Sequence, residues 1–261
     1  MLMVLIRIRM LILMVLPALV LAACGGGTSP SEPQQAPMDA TGYFSRGNDY
    51  AQKKDYDRAI ADFSQAIALN PGYIEAHNNR GLAYAMQGEY DRAIADFDQA
   101  IALKDDYLFA YHNRGLAYAA QGAYDRAIAD YDQAILLDST SAGVYNHRGL
   151  AYYEQGDNDR AIADLNKAIA LDPRNAMAYH NRGLVYAHKG RYDQAIADYT
   201  EAITLSPDTA PPYYNRGEAY VQAGEKEQAL ADFRRFLELS DDADWRQKAR
   251  AQLQSLEQTA P

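Results

Sequence analysis

The 261-residue chain carries 35 acidic and 25 basic side chains, a formal net charge of −10, and a single cysteine. A chain this acidic repels nucleic acid and anionic lipid headgroups, so binding either through bulk charge is excluded. One thiol cannot form an internal disulfide, so cross-linking plays no part in holding the fold.

Residues 1–23 read as a targeting segment. Arg7 and Arg9 make a positive start, Met10 to Ala22 is an apolar run without an acid, and Leu21-Ala22-Ala23-Cys24 closes it. The run is short for a membrane span of about 20 residues, and Pro17 interrupts it. Small residues before a cysteine, after a short apolar stretch, resemble a bacterial lipoprotein signal with its lipobox. The resemblance implies that Cys24 becomes the lipid-modified first residue. The chain would then sit at a cell membrane or outer membrane, facing the periplasm or cell exterior. A transmembrane anchor or an ordinary cleaved signal peptide is the other reading. Residues 24–39 have little to bury and read as a flexible tether. Without residues 1–23 the balance is 35 acids against 23 bases. Membrane contact is therefore expected through the N-terminal lipid only.

From residue 40 onward the chain repeats every 34 residues, in six units: 40–73, 74–107, 108–141, 142–175, 176–209 and 210–243. Counting within a unit, position 7 is always Arg, position 8 Gly, position 11 Tyr, position 20 Ala and position 23 Asp. Position 15 is Gly in units two to six, which suits the left-handed residue that ends a helix. Pro71, Pro173 and Pro207 at position 32 cannot continue a second helix. On helical spacing, positions 4, 7, 8, 11 and 15 fall on one face of a first helix, and 17, 20, 21, 24, 27 and 28 on one face of a second. A fixed period of this length marks a solenoid whose units bury their apolar faces by stacking.

This pattern resembles the tetratricopeptide repeat, a helix-turn-helix unit, with Arg at position 7 in place of that family's usual Leu. The resemblance implies an all-α, right-handed superhelical solenoid of six repeats. Residues 243–258 would form a C-terminal capping helix, with Trp245, Ala249, Leu253 and Leu256 inward and Arg246, Lys248 and Arg250 outward. The Arg and Asp at positions 7 and 23 are expected to pair between helices, since partly buried charges are rarely left alone.

The remaining face of the first helices is the expected binding surface. Position 6 supplies Asn79, Asn113, His147, Asn181 and Asn215, and position 9 supplies Leu82, Leu116, Leu150 and Leu184. These make an apolar floor beside a row of amides, and an amide can meet both the N–H and the C=O of a peptide. The row resembles the asparagine ladder in the repeat region of O-linked N-acetylglucosamine transferase, without a glycosyltransferase domain. The alternative is that these amides bond the neighbouring helix. No Lys occupies positions 2 or 5, so a carboxylate clamp for chaperone tails is not expected.

His112, His147, His180 and His188 come from three units, too far apart to share one metal ion. No nucleophile motif or phosphate loop is present, and no cofactor, metal or small-molecule substrate is expected. The sequence therefore reads as a non-catalytic, lipid-anchored envelope adaptor that binds peptides or proteins in its groove. Competing readings are a scaffold using its convex face or cap, and an envelope hydrolase using groove His and Glu154.

Overall fold

The structure, a computed structural model, describes residues 38–258. Cys24, the targeting segment and most of the tether lie outside the described residues. Thirteen α-helices account for nearly all of them, and no strand occurs among them. No described helix is long and apolar enough to cross a membrane.

The described residues fall into two compact units, up to Ser139 and from Thr140 onward. The first holds three helix pairs: α1 (Ala40–Gln52) with α2 (Tyr56–Leu69), α3 (Ile74–Gln87) with α4 (Tyr90–Leu103), and α5 (Leu108–Ala120) with α6 (Tyr124–Leu137). The second holds α7 (Ala142–Glu154) with α8 (Asn158–Leu171), α9 (Ala176–His188) with α10 (Tyr192–Leu205), and α11 (Ala210–Ala223) with α12 (Lys226–Leu239), followed by α13 (Ala243–Gln258). Within each unit, every second helix also packs on the first helix of the next repeat.

The turns inside the repeats follow from backbone chemistry. Gly88, Gly122, Gly156, Gly190 and Gly224 all take positive φ, between 70° and 86°, where a Cβ is strained. Repeat one puts Lys54 there at φ 61°, the one positive-φ residue other than glycine among the described residues. Asp55 and Asp157 then start their second helices by accepting from the backbone N–H of Arg58 and Arg160.

The core of each pair is set by positions 8 and 24. A Cβ on Gly81 would lie 2.7 Å from the Phe97 ring, and one on Gly115 would lie 2.6 Å from the Tyr131 ring. Both rings are almost wholly buried. Glycine at position 8 is thus a packing requirement, letting a full aromatic ring lie against the first helix.

The buried arc of the first helices is wider than the sequence implies. Positions 3 and 10, including Ala76, Ala110, Val144, Ala178, Ala83, Ala117, Ala151 and Val185, are at most 3% exposed. Position 7 is half-buried, as expected of a charge at the margin of the packed face. A first helix inside a stack touches its own second helix, the preceding second helix and the flanking first helices, so most of its circumference is covered. Small residues at positions 3 and 10 allow that approach.

The Arg–Asp pairs form in every repeat, within the repeat and in bidentate geometry. Arg80 donates through Nε and Nη2 to Asp96 at 2.8 and 2.6 Å, and Arg114 to Asp130 at 2.9 and 2.7 Å. The same fork joins Arg46 to Asp62, Arg148 to Asp164, Arg182 to Asp198 and Arg216 to Asp232. The hydrogen bond to Asp130 raises the Arg114 guanidinium above its ordinary range, while burial raises the Asp130 carboxyl and Arg114 opposes that shift.

Helix α13 closes the second unit. Trp245 stands edge-on to Tyr214 at 4.9 Å, while Tyr214 also meets Phe233 and Phe236. Phe236 replaces the alanine of the other repeats at position 27, and that bulk supplies the cap's seat. Arg246 does not point outward as expected. It donates to the carbonyls of Leu237 and Ser240, which end α12 without an intrahelical partner.

Candidate functional site

The residues at positions 5 and 6 of the first helices are brought together by stacking, and mostly in the interior. Asn113 and Asn181 are 3% and 0% exposed, and His147 is also buried. Asn79 and Asn215 are half-buried. The amide row therefore does not line an open surface along its whole length. Asn113, Asn181 and Asn215 at position 6 each sit against position 5 of the preceding repeat, and pairing there offsets their desolvation.

The bonds are specific. Asn113 Nδ2 donates to Asn78 Oδ1 at 2.9 Å, Asn78 Nδ2 to Asn79 Oδ1 at 3.1 Å, and Asn79 Nδ2 to Asn48 Oδ1 at 2.8 Å. Four amides thus form one directional relay through three repeats of the first unit. In the second unit Asn181 donates to Asn146 at 2.9 Å, and Asn215 lies 2.7 Å from His180 Nε2. The Oδ1 atoms of Asn113 and Asn181 are buried without a hydrogen-bond partner among the described residues.

The leucines at position 9 are placed differently. Leu82, Leu116 and Leu150 are half-buried and keep part of each side chain toward solvent. Leu184 is 8% exposed and belongs to the cluster around Tyr186 and Tyr199. Partly accessible positions are therefore Leu82 and Leu116 with Asn79 in the first unit, and Leu150 and, separately, Asn215 in the second.

The histidines do not converge. Among the described residues no group of three or more His, Cys, Asp or Glu side chains is placed to hold a metal ion. His77 Nε2 lies 3.2 Å from the Pro71 carbonyl, in the place where Tyr213 meets the Pro207 carbonyl. His188 is exposed, edge-on to Tyr153 at 5.5 Å, with Nδ1 3.4 Å from Asn158 Oδ1.

His112 is buried against the Tyr131 ring, and burial pulls its pKa down to about 4. The fold thus favours the neutral ring, while the unfolded chain takes up a proton near pH 6.5. Its contribution to stability is whole above about pH 6.5 and is lost as the pH falls toward 4, costing about 2 kcal/mol by pH 5. His112→Gln is expected to flatten that acid limb. Urea midpoints at pH 7 and pH 5 should differ less in the variant than in the parent chain.

The sequence did not reveal a further bond made by the arginine at position 7. Its Nη1 reaches position 25 of the preceding repeat: Arg80 to Ser64 at 3.0 Å, Arg182 to Asn166 at 2.6 Å, Arg216 to Thr200 at 2.9 Å, and Arg114 to Asp98. Position 14 makes a parallel bond to position 18 of the preceding repeat: Gln87 to Asp57, Gln121 to Asp91 and Lys189 to Asp159. The signal was present, since position 25 is Ser, Asp, Asp, Asn and Thr in repeats one to five and Arg only in the last.

A helix-turn-helix repeat with glycine against an aromatic ring, stacked through its first helices, defines a tetratricopeptide-type array. Family models described as TPR repeat match residues 47–88, 116–156, 149–190 and 185–224, and others described as tetratricopeptide repeat match 74–107 and 210–242. The chain belongs to the tetratricopeptide-repeat family.

Solved structures share the fold. A tetratricopeptide repeat protein from Parabacteroides merdae aligns with a TM-score of 0.68 at 22% identity, over 85% of each chain. A chain of the APC/C Cut9–Hcn1 hetero-tetramer gives 0.74 at 20% identity over 84% of this chain, which spans only 43% of that one. YrrB, described as a TPR protein with an unusual peptide-binding site, gives 0.54 at 22% identity, over 72% of this chain and 97% of its own. The comparison with curated proteins found no match. The fold is one typical of protein–protein interaction scaffolds, which are generally non-catalytic.

Proposed function

We propose that this chain is a lipid-anchored adaptor of the cell envelope that binds peptide or protein partners along the exposed stripe of its first helices. The observation that carries the reading is the set of partly exposed leucines at position 9, Leu82, Leu116 and Leu150, with the half-buried amide of Asn79 on the same helix face as Leu82. An extended segment laid along such a stripe buries apolar surface on the leucines and meets amides that bond its backbone. YrrB supplies a relative in fold for which a peptide-binding site is described. Attachment through Cys24 and the tether would confine the stripe near a membrane and raise its effective concentration there, so modest affinity suffices. Partners are proteins or peptides rather than nucleic acid, and no chemistry is performed on them.

A second reading has its own support. Asn113 and Asn181 are consumed by bonds between repeats, so part of the expected ladder is structural, and binding through the convex face or α13 gains weight.

In-cell crosslinking with Leu82→Asp/Leu116→Asp separates the two readings. Under the proposal, a defined set of envelope proteins is captured by the parent chain and reduced about tenfold or more in the variant, with helix content retained. Capture unchanged in the variant would move the binding face elsewhere. Labelling with a clickable fatty acid should mark the parent and leave Cys24→Ala unmarked. Absence of label on the parent would remove the anchor.

A further inference from the structure

We propose that the outer face of α1 is an unfinished repeat junction that docks one helix of a partner, with an acid and a second hydrogen-bond acceptor seven residues apart. This goes beyond the binding stripe and does not rest on it.

The junction inside the second unit supplies the template. On α9, Arg182 and the following Lys189 lie seven residues apart on one face. Arg182 donates to Asn166 at 2.6 Å and Lys189 to Asp159 at 2.6 Å, and both acceptors stand on α8, again seven residues apart. Helix α1 and its C-cap carry the same pair of cations at the same positions, Arg46 and Lys53. Arg46 is bound to Asp62 of its own repeat through Nε and Nη2, and among the described residues no second helix precedes α1 to meet its Nη1. Its side chain is 42% exposed, against 15% to 21% for the position-7 arginines of the other five repeats. Lys53 is exposed. Tyr43, under the Arg46 guanidinium at 5.4 Å, and Tyr50 complete the stripe with only partial burial.

Charge and shape choose the occupant. The face offers two cations about 10 Å apart along a helix, flanked by aromatic rings, in a chain that is otherwise strongly acidic. A helix of the α8 type matches both the polarity and the spacing. A second copy joined end to end does not, because α12 is already covered by α13. Its position 25 is Arg234, which pairs with Glu257 at 3.0 Å and would face Arg46 as a like charge. Among the described residues α12 is thus covered by α13, while no helix covers the outer face of α1.

The test uses the full chain and a peptide with the sequence of residues 158–171, stapled on its exposed side because a free 14-mer helix is marginal in water. Binding is expected to be saturable by anisotropy and to weaken about tenfold when Asp159 and Asn166 of the peptide are both changed to Lys. In the protein, Lys53→Glu should weaken binding comparably and leave circular dichroism unchanged, since Lys53 takes no part in the Arg46–Asp62 pair. Arg46→Gln should add to that loss. No saturable binding, or binding indifferent to Lys53→Glu, overturns the proposal. A concentration-dependent dimer that Lys53→Glu dissolves would overturn it too, because the occupant would then be a second copy.

Discussion

Asp130→Ala is expected to destabilise the first unit by about 3–5 kcal/mol, the range for removing one partner of a buried ion pair. The substitution strands Arg114, a side chain 19% exposed whose Nε and Nη2 both donate to Asp130. Its remaining acceptor, Asp98, is half-exposed and reaches only Nη1. The matched substitution at the open end, Asp62→Ala, should cost only roughly 1.5–3 kcal/mol, the worth of a charged hydrogen bond, because the freed Arg46 is already solvated. Urea unfolding followed by far-UV circular dichroism reads both. Trp245, the chain's one tryptophan, sits on the cap, so its fluorescence reports the C-terminal end separately. Because a stack is held by nearest-neighbour contacts, the dichroism midpoint should fall further than the fluorescence midpoint. Equal costs for Asp130→Ala and Asp62→Ala would mean that the pairs act through local geometry and that burial of the arginine is irrelevant.

What was legible in the sequence follows from what is local to a repeat. The period and the arginine–aspartate pair are each set within one 34-residue unit and recur six times, and the glycine that ends a first helix recurs five times, so coincidence is excluded. The seat of the cap was legible too, as Phe236 in an alanine register. Burial on the first helices was not. A helical wheel assigns one buried face, whereas a helix inside a stack is covered from several sides. Alanines at positions 3 and 10 carry no strong apolar signal, and asparagine reads as a surface residue by type. Asn113 and Asn181 are interior because a neighbouring repeat brings an amide to meet them, a fact no single repeat contains. The same limit hid the third arm of the arginine fork, whose partner lies in the preceding repeat.

Gly81→Ala tests the packing rule on which every helix pair depends. In an ordinary helix interior this change gains up to about 1 kcal/mol through backbone entropy. Here the new methyl would stand 2.7 Å from Phe97 Cε1, in a ring that is fully buried. Overpacking of a filled core costs roughly 1–3 kcal/mol, so the clash outweighs the propensity gain and the net effect should be destabilising. Phe97→Leu alone should also destabilise, by leaving a void. Together the two should cost about 1 kcal/mol or more less than the sum, because the methyl occupies space the ring vacates and the two sites share one cavity. Repeat four supplies the internal comparison, since it pairs Gly149 with Leu165. There a Cβ would still lie 3.2 Å from the Ala161 carbonyl oxygen as well as 3.0 Å from Leu165 Cγ. Trimming Leu165 therefore cannot relieve Gly149→Ala, because backbone stands in the way. A rescue at Gly81 without a rescue at Gly149 is the signature of a ring-limited approach in one repeat and a backbone-limited approach in the other. Rescue at neither would show that helix spacing, set by the arginine forks, is what position 8 obeys.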